Sequence, residues 1–352
     1  MNKKIKLISL AAAFILSTSL FQGCNTKKNA SPTINVFNWG EYIDEEILKD
    51  FTAKTGIKVN YETYATNEEM YEKIKAGTTN YDLICPSDYM LERMINEGLV
   101  QKIDYSKLSN YKNIDDSYKN LSYDPQNEYS IPYMWGTIGI IYDKTKISDS
   151  IDSWNTLWNP KYKDDIFMSD DMRNSIGISL KRLGYSLNST NPEEIKKATE
   201  ELIKQRNEVN PVYIGDQVKD SLRSGEKSIA VIYSGDAAVL KQEKPDRFEY
   251  VIPKEGTNLW FDVWAIPKNA KHVEETLKFL DYLLDENVNK KNVEYIGYAT
   301  PNKATLSLLD EKIRNDKSIY PPKEILNKSE VFIDLKDARE LYNDAWLEVT
   351  SK

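Results

Sequence analysis

Ile34-Asn35-Val36-Phe37-Asn38-Trp39-Gly40-Glu41-Tyr42 is the stretch from which the organisation of this chain can be worked out. Its first four residues favour a β-strand, and Asp44, just beyond it, is a good N-cap for a helix. In open α/β sheets, ligands bind at the carboxyl ends of strands, where turns present amides and side chains to a crevice. Trp39, Glu41 and Tyr42 are therefore candidates for one wall of a ligand site. The alternative is that Trp39 only covers a core, since aromatic residues pack interiors more often than they bind ligands.

Beyond this stretch the chain alternates strand-like and helix-like segments. Apolar residues at helical spacing end at Gly56, Gly77 and Gly98, which are typical helix C-termini, and strand-like runs lie between them at 57–61 and 81–85. The second half predicts strands at 166–168, 228–233, 248–252 and 259–266, with helices at 174–183, 192–207, 216–223, 272–284 and 286–295. Such regular alternation predicts an α/β fold with a parallel or mixed sheet covered by helices.

Size and composition indicate a folded protein large enough for two domains. The chain has 352 residues, of which 40% are hydrophobic and 29% charged. Its 23 Tyr and 7 Trp residues offer flat apolar faces with polar tips, which suit a cleft for a small hydrogen-bonding molecule. A formal charge of −8 argues against nucleic acid as a partner and is compatible with a cationic one, although solubility alone also explains an acidic surface.

The first 23 residues have the features of a cleaved secretory signal. Lysines precede an apolar run, Leu7 to Phe21, that is too short for a comfortable membrane span. Cys24 directly follows Gly23, as in bacterial lipoprotein signals, where that cysteine is lipid-modified and becomes the new N-terminus. Residues 24–32 then form a polar tether. This predicts an extracytoplasmic protein anchored to the outer face of the bacterial cell membrane, and it leaves Cys85 as a buried structural thiol.

Catalytic chemistry can be tested by elimination. The only histidine is His272, so histidine-dependent catalysis and most zinc sites are poor expectations, and no nucleophile elbow, phosphate loop or dinucleotide fingerprint occurs. We therefore predict no enzyme activity, catalytic residue, cofactor or metal. Glycoside hydrolysis needs only two carboxylates, and among 55 acidic residues it stays open as an alternative.

Clusters of aromatic and acidic residues recur at predicted strand ends. They are Trp39-Gly40-Glu41-Tyr42, Ser87-Asp88-Tyr89, Tyr233-Ser234-Gly235-Asp236 and Trp260-Phe261-Asp262, with the acidic turn Asp170-Asp171-Met172-Arg173-Asn174 beside them. Aromatic faces attract a cation by roughly 0.5 to 2 kcal/mol each, and a carboxylate offsets the cost of taking an ammonium out of water. A solvated Asp beside an aromatic residue of the core would explain any single cluster equally well. Their repetition favours a small ligand that carries ammonium groups.

Several segments together resemble the bacterial spermidine/putrescine-binding proteins, the substrate-binding components of polyamine ABC importers. The matching segments are 34–42, 53–64, 81–87, 129–136, 259–267 and 296–302. They occur in the same order over almost the whole mature chain, which makes the resemblance far more specific than any one motif.

The resemblance implies a periplasmic-binding-protein-like fold of type II. In this fold each of two lobes is a mixed sheet flanked by helices, and the ligand cleft lies between the lobes. Residues 33–138 plus 261–307 would form the first lobe, and 139–260 plus 308–352 the second. The expected partners are spermidine or putrescine, the permease subunits of an ABC transporter and, through the lipid, the membrane, with the protein itself a monomer.

Position by position, the resemblance implies a set of ligand-binding residues. They are Trp39, Tyr42, Ser87, Tyr89, Asp171, Tyr233, Asp236, Trp260, Asp262 and Tyr298. The aromatic members other than Tyr42 would enclose the methylene chain, and Asp171 and Asp262 would hold ammonium groups. Asp236 matches a carboxylate typical of the putrescine-binding branch.

The chain also departs from the family pattern. Asn174 stands where a Glu is usual, Gly40 replaces a Ser or Thr, Tyr233 replaces a Trp, and Phe332 aligns loosely with a Gln of spermidine binders. These departures leave open which polyamine is preferred. A binding protein for a neutral solute is the other alternative alongside the glycoside hydrolase.

Overall fold

A mixed β-sheet runs through the computed structural model, which describes residues 31–351. Its strands are β1 (Thr33–Trp39), β2 (Lys58–Tyr64), β3 (Leu83–Ile84), β4 (Val100–Gln101), β5 (Ser130–Asp143), β6 (Ile166–Ser169), β7 (Val212–Ile214), β8 (Ile229–Tyr233), β9 (Phe248–Val251) and β10 (Leu259–Pro267). The order is β2-β1-β3-β10-β5-β8-β6-β7, with β4 paired to β10 and β9 paired to β5. The predicted signal sequence and Cys24 lie outside the described residues.

Helices connect most of these strands. They are α1 (Glu45–Thr55), α2 (Asn67–Ala76), α3 (Asp88–Asn96), α4 (Met172–Arg182), α5 (Pro192–Val209), α6 (Val218–Ser224), α7 (Ser234–Glu243), α8 (Val273–Leu283), α9 (Glu286–Ile296), α10 (Lys303–Leu308), α11 (Glu311–Arg314), α12 (Lys323–Leu326) and α13 (Arg339–Ser351). Short 3₁₀ helices occur at Tyr105–Lys107, Tyr111–Asn113, Asp116–Tyr118, Trp154–Trp158, Pro160–Tyr162 and Lys336–Ala338. Within residues 31–351, no helix is both long and apolar enough to cross a membrane.

Local sequence explains how the first helices begin and end. The Asp44 side chain accepts a hydrogen bond from the Glu46 amide at the start of α1, and Gly56 ends the helix in the left-handed conformation. Thr66 and Gly77 do the same for α2. These boundaries confirm the capping signals in the sequence.

The long strand β5 joins two parts of the sheet. Its first half, Ser130–Thr137, pairs antiparallel with β10, whereas Ile138–Asp143 pairs with β8 and β9. The strand is continuous, and its partners change between Thr137 and Ile138.

Two of the four clusters of buried apolar residues lie on either side of this change. One cluster draws its buried members only from 34–134 and 260–309, and the other only from 138–231 and 335–349. Tyr233 is half-buried and packs against both. The fold places Tyr233 and the adjacent strand ends where the two cores meet.

The predicted α/β class with a mixed sheet flanked by helices is confirmed. Most predicted elements have ends that differ from the structure by one to three residues. The predicted helix at 216–223 is Val218–Ser224, for example, and the predicted strand at 57–61 is Lys58–Tyr64. The C-terminal helix Arg339–Ser351 was not predicted. It packs mainly against α5 and α4, and its buried Tyr342 and Val349 complete the second core.

Candidate ligand-binding site

The pairing of β10 with β5 is irregular at Asp262. The register shifts between Asp262 and Val263, with the extra residue on β5. Asp262 also forms an isolated bridge with Ser87, and the Val263 amide donates to the Pro86 carbonyl at 3.0 Å. Such irregularities are common next to functional sites. These contacts place Asp262 beside the loop at 85–89.

Asp262 is buried and contacts only uncharged donors. Its Oδ1 accepts from the Ser87 hydroxyl at 2.7 Å, and its Oδ2 accepts from the Tyr42 hydroxyl at 2.8 Å. Among residues 31–351, no Lys, Arg or His forms an ion pair with it. Burial raises the pKa of Asp262 to about 7, although both hydroxyl hydrogen bonds lower it. The chain thus holds a buried carboxylate without a cation beside it.

Four predicted aromatic residues form a connected wall near this carboxylate. The ring of Trp260 lies 5.0 Å from that of Tyr298 and 5.9 Å from that of Tyr233, in both cases edge to face. Tyr298 lies in turn 5.8 Å from Tyr42. These are favourable aromatic geometries, and they hold the rings in fixed orientations. Trp260 Nε1 is buried without a hydrogen-bond partner in the described part of the chain.

Two glycines let these rings come close to the backbone. A Cβ on Gly136 would lie 2.6 Å from Trp260 Cζ2, and one on Gly235 would lie 2.2 Å from Tyr298 Cδ1. Neither position has room for a side chain unless a ring moves. The glycines in Trp135-Gly136 and Ser234-Gly235-Asp236 therefore serve the packing of the aromatic wall.

Asp236 lies on the other side of Tyr298. Its Oδ2 accepts from the Tyr298 hydroxyl at 2.9 Å, and its Oδ1 lies 3.1 Å from Lys219 Nζ. Lys219 also contacts Glu41 Oε2 at 3.1 Å. Unlike Asp262, Asp236 has a cationic partner within the chain.

Ser87 and Tyr89 lie at the start of α3 and share a partner. Ser87 occupies the N-cap position but makes no side-chain cap, because its hydroxyl donates to Asp262. The Asn67 amide nitrogen donates to the Ser87 and Tyr89 hydroxyl oxygens, both at 3.1 Å. Asp88 between them is buried and accepts from the Phe261 amide at 3.0 Å, and burial raises its pKa to about 8. Asp88 thus connects α3 to β10.

Asp171 and Tyr233 meet at the start of α4. Asp171 caps the helix by accepting from the Asn174 amide at 2.8 Å, and the Asn174 side chain donates to the Tyr233 hydroxyl at 2.8 Å. Burial raises the pKa of Asp171 to about 6. Arg173 is buried beside them, with its guanidinium carbon 5.2 Å from the Tyr89 ring and 4.3 Å from that of Phe332.

Trp39 is placed differently from the other predicted aromatics. Its ring packs on Tyr64 at 4.6 Å, and its Nε1 donates to the Cys85 carbonyl at 3.0 Å. Tyr64 donates to the same carbonyl. Trp39 therefore orders the loop that carries Ser87, rather than joining the Trp260 and Tyr298 rings. Cys85 is buried and free, as predicted.

The structure thus joins most of the predicted residues through direct contacts. Sequence reasoning assigned no role to four residues that order the site: Asn67, Asp88, Arg173 and Lys219. Asp88 and Arg173 lie within the clusters of aromatic and acidic residues in the sequence, so their positions could have indicated a role in the site. No sequence signal points to Asn67 or Lys219, because their partners in the site are at least 17 residues away.

This arrangement of buried aromatic rings and carboxylates is suited to a protein that binds a small solute. The family described as bacterial extracellular solute-binding protein matches residues 46–319, and this chain belongs to that family. It is 41% identical over 314 residues to the spermidine/putrescine-binding periplasmic protein of Salmonella typhimurium, covering 89% of this chain and 90% of the relative.

Two further comparisons agree with this assignment. The putrescine-binding periplasmic protein of Pseudomonas aeruginosa is 36% identical over 323 residues, covering 86% of this chain and 87% of the relative. A solved spermidine/putrescine ABC transporter substrate-binding protein from Streptococcus pneumoniae superposes with a TM-score of 0.79 at 38% identity, covering 91% of this chain and 99% of the other. Relatives at this level share the fold over nearly their whole length.

Proposed function

We propose that this chain is an extracytoplasmic polyamine-binding protein that delivers spermidine or putrescine to an ABC importer and does not alter its ligand chemically. The observation that carries the proposal is Asp262, a buried carboxylate that has only hydroxyl donors and lies beside an aromatic wall. An ammonium beside it would favour the ionised form and would receive a charge-assisted hydrogen bond. The names of the relatives point to the same ligands.

The ligand would lie against the rings of Trp260, Tyr298 and Tyr233. These faces cover a methylene chain and attract cations. Asp262 would hold one ammonium, Asp171 or Asp236 would hold another, and Ser87 and Tyr42 would orient Asp262. Tyr89 and Trp39 would complete the surroundings.

Two lobes, 33–138 plus 261–307 and 139–260 plus 308–352, would close around this site. The partner change in β5, and the separate segments that make up two of the apolar clusters, support such a division. Tyr42, Ser87, Asp262 and Tyr298 would come from the first lobe, and Asp171, Tyr233 and Asp236 from the second. Contacts from both lobes would favour the closed form when ligand binds.

The protein would act as a monomer attached to the cell surface through a lipid on Cys24 and would contact permease subunits. Lysines, an apolar run and Gly23-Cys24 in the sequence support the anchor. Metabolic labelling with a radioactive fatty acid tests it, with Cys24→Ala as the control. Label that is retained in the variant would contradict the anchor.

Calorimetry with purified protein tests the ligand. We expect putrescine or spermidine to bind and also to raise the melting temperature, because a ligand that binds only the native state stabilises it. Diacetylated putrescine, which keeps the chain but lacks both charges, should not bind. Equal binding of the acetylated compound, or binding of neutral sugars instead, would overturn the proposal.

A further inference from the structure

Lys219 forms a bridge between two segments of the site that are far apart in the sequence. Its Nζ lies 3.1 Å from Asp236 Oδ1 and 3.1 Å from Glu41 Oε2. Lys219 and Asp236 have side chains only 20% exposed, whereas that of Glu41 is 79% exposed. Since exposed ion pairs contribute little, Asp236 is the stronger partner of the two.

Each carboxylate oxygen of Asp236 already has a partner in the chain. Lys219 contacts one carboxylate oxygen, and the Tyr298 hydroxyl donates to the other at 2.9 Å. Burial alone would lower the pKa of Lys219, but Asp236 and Glu41 more than offset it and the pKa is raised. The lysine is therefore an ammonium at neutral pH, and its partner Asp236 also accepts from Tyr298, whose ring borders Trp260.

Lys219 thus occupies the position beside Asp236 that a ligand ammonium would otherwise take. We propose that Lys219 is a specificity-determining residue whose own ammonium competes with the ligand for Asp236. This inference rests on the proposed function. A ligand with one ammonium needs only Asp262 and is indifferent to Lys219, whereas a diamine that extends to Asp236 must displace the lysine.

The test compares putrescine with n-butylamine, which has the same four-carbon chain but only one ammonium. Calorimetry on the Lys219→Met variant should show putrescine binding about tenfold tighter or more, because a freed carboxylate gains a charge-assisted hydrogen bond. The affinity for n-butylamine should change by less than about twofold. Lys219→Arg, which keeps the cation, should bind putrescine as the wild type does.

A second variant separates local competition from a general change in charge. Lys219→Met combined with Asp236→Asn has the net charge of the wild type and should lose the whole gain. A gain that persists in the double variant, an equal gain for n-butylamine, or weaker putrescine binding by Lys219→Met would each overturn the inference. Lys219→Gln provides the same comparison if the Met variant does not give a cooperative thermal transition. Failure of the wild type to bind any polyamine would overturn the proposed function instead.

Discussion

Asp262 and Asp236 lie on either side of Tyr298 and have opposite electrostatic environments. Asp262 accepts hydrogen bonds from two neutral hydroxyls and has no cationic partner in the described chain, whereas Asp236 contacts Lys219. When Asp262 is ionised, it therefore carries a buried charge without a counterion, whereas Lys219 already neutralises the charge of Asp236. The comparison teaches that a carboxylate is available to a cationic ligand only if the protein has not supplied its own cation.

The largest effect is expected from removing the unpaired charge. Asp262→Asn should weaken polyamine binding by at least about 100-fold, because the ligand ammonium then has no carboxylate in a buried site. Calorimetry measures this, with the exposed Asp152→Asn as a control that removes the same charge. The ligand-free variant should melt no lower than the wild type at pH 8, since no buried charge remains. Unchanged affinity would contradict the role of Asp262.

The pH dependence of binding should follow the titration of Asp262. Its pKa of about 7 lies above the ordinary value, so the ionised fraction falls from most of the molecules at pH 8 to about a tenth at pH 6. We expect Kd to rise at least about tenfold over that range while the ligand amines stay charged, because Asp171, with a pKa of about 6, also becomes partly protonated. Binding at pH 7 should release about half a proton per ligand from Asp262, which calorimetry in buffers of different ionisation enthalpy detects.

The raised pKa of Asp262 also predicts how the stability of the ligand-free protein changes with pH. The folded state binds more protons than the unfolded state between about pH 4 and 7, so the ligand-free protein loses stability as pH rises through this window. The Asp262→Asn variant should lack this contribution. Parallel pH profiles of the melting temperature for the two proteins would contradict the assignment.

Tyr42 and Tyr298 each donate a hydrogen bond to one of the two carboxylates, so their Phe variants can be compared directly. Tyr42→Phe removes a donor to Asp262 and should weaken polyamine binding about tenfold, because a hydrogen bond to a charged group is lost. Tyr298→Phe removes a donor to Asp236, which Lys219 still neutralises, and should cost less than about threefold. Calorimetry at pH 8 decides the order. Equal losses would mean that the two carboxylates are equivalent.

The smallest effect is expected at Gly40, in the turn that carries both Glu41 and Tyr42. A Cβ there would meet no atom within 4 Å, so Gly40→Ser should change polyamine affinity by less than about twofold. Gly235→Ala is the contrasting variant, because its Cβ would lie 2.2 Å from the Tyr298 ring. It should displace that ring and lower the melting temperature by several degrees.

Much of the fold could be predicted from the sequence because its signals are local. Asp44 and Thr66 cap helices through amides two or three residues away, and Gly56 and Gly77 end them with backbone angles that other residues rarely adopt. The boundary errors and the missed helix Arg339–Ser351 arose where packing decided the outcome.

The candidate site was predictable as a set of residues but not as a set of roles. Tyr42, Ser87, Asp262, Trp260 and Tyr298 stand in recognisable clusters, and the structure joins them by contact. Trp39 instead orders the Cys85 loop. Nothing local distinguishes Asp262 from Asp236, since each stands three residues from one end of a strand with aromatic residues nearby.

The sequence by itself determined the alternation of strands and helices, the family resemblance and the supply of aromatic and acidic residues. Only the tertiary structure decided which carboxylate has a cationic partner, because Lys219 is 17 residues from Asp236 and 178 residues from Glu41 and meets both through the fold. It also decided where the irregular pairing at Asp262 falls and how deeply that carboxylate is buried. Burial and long-range pairing set the energy of a charge, and neither exists until the chain has folded.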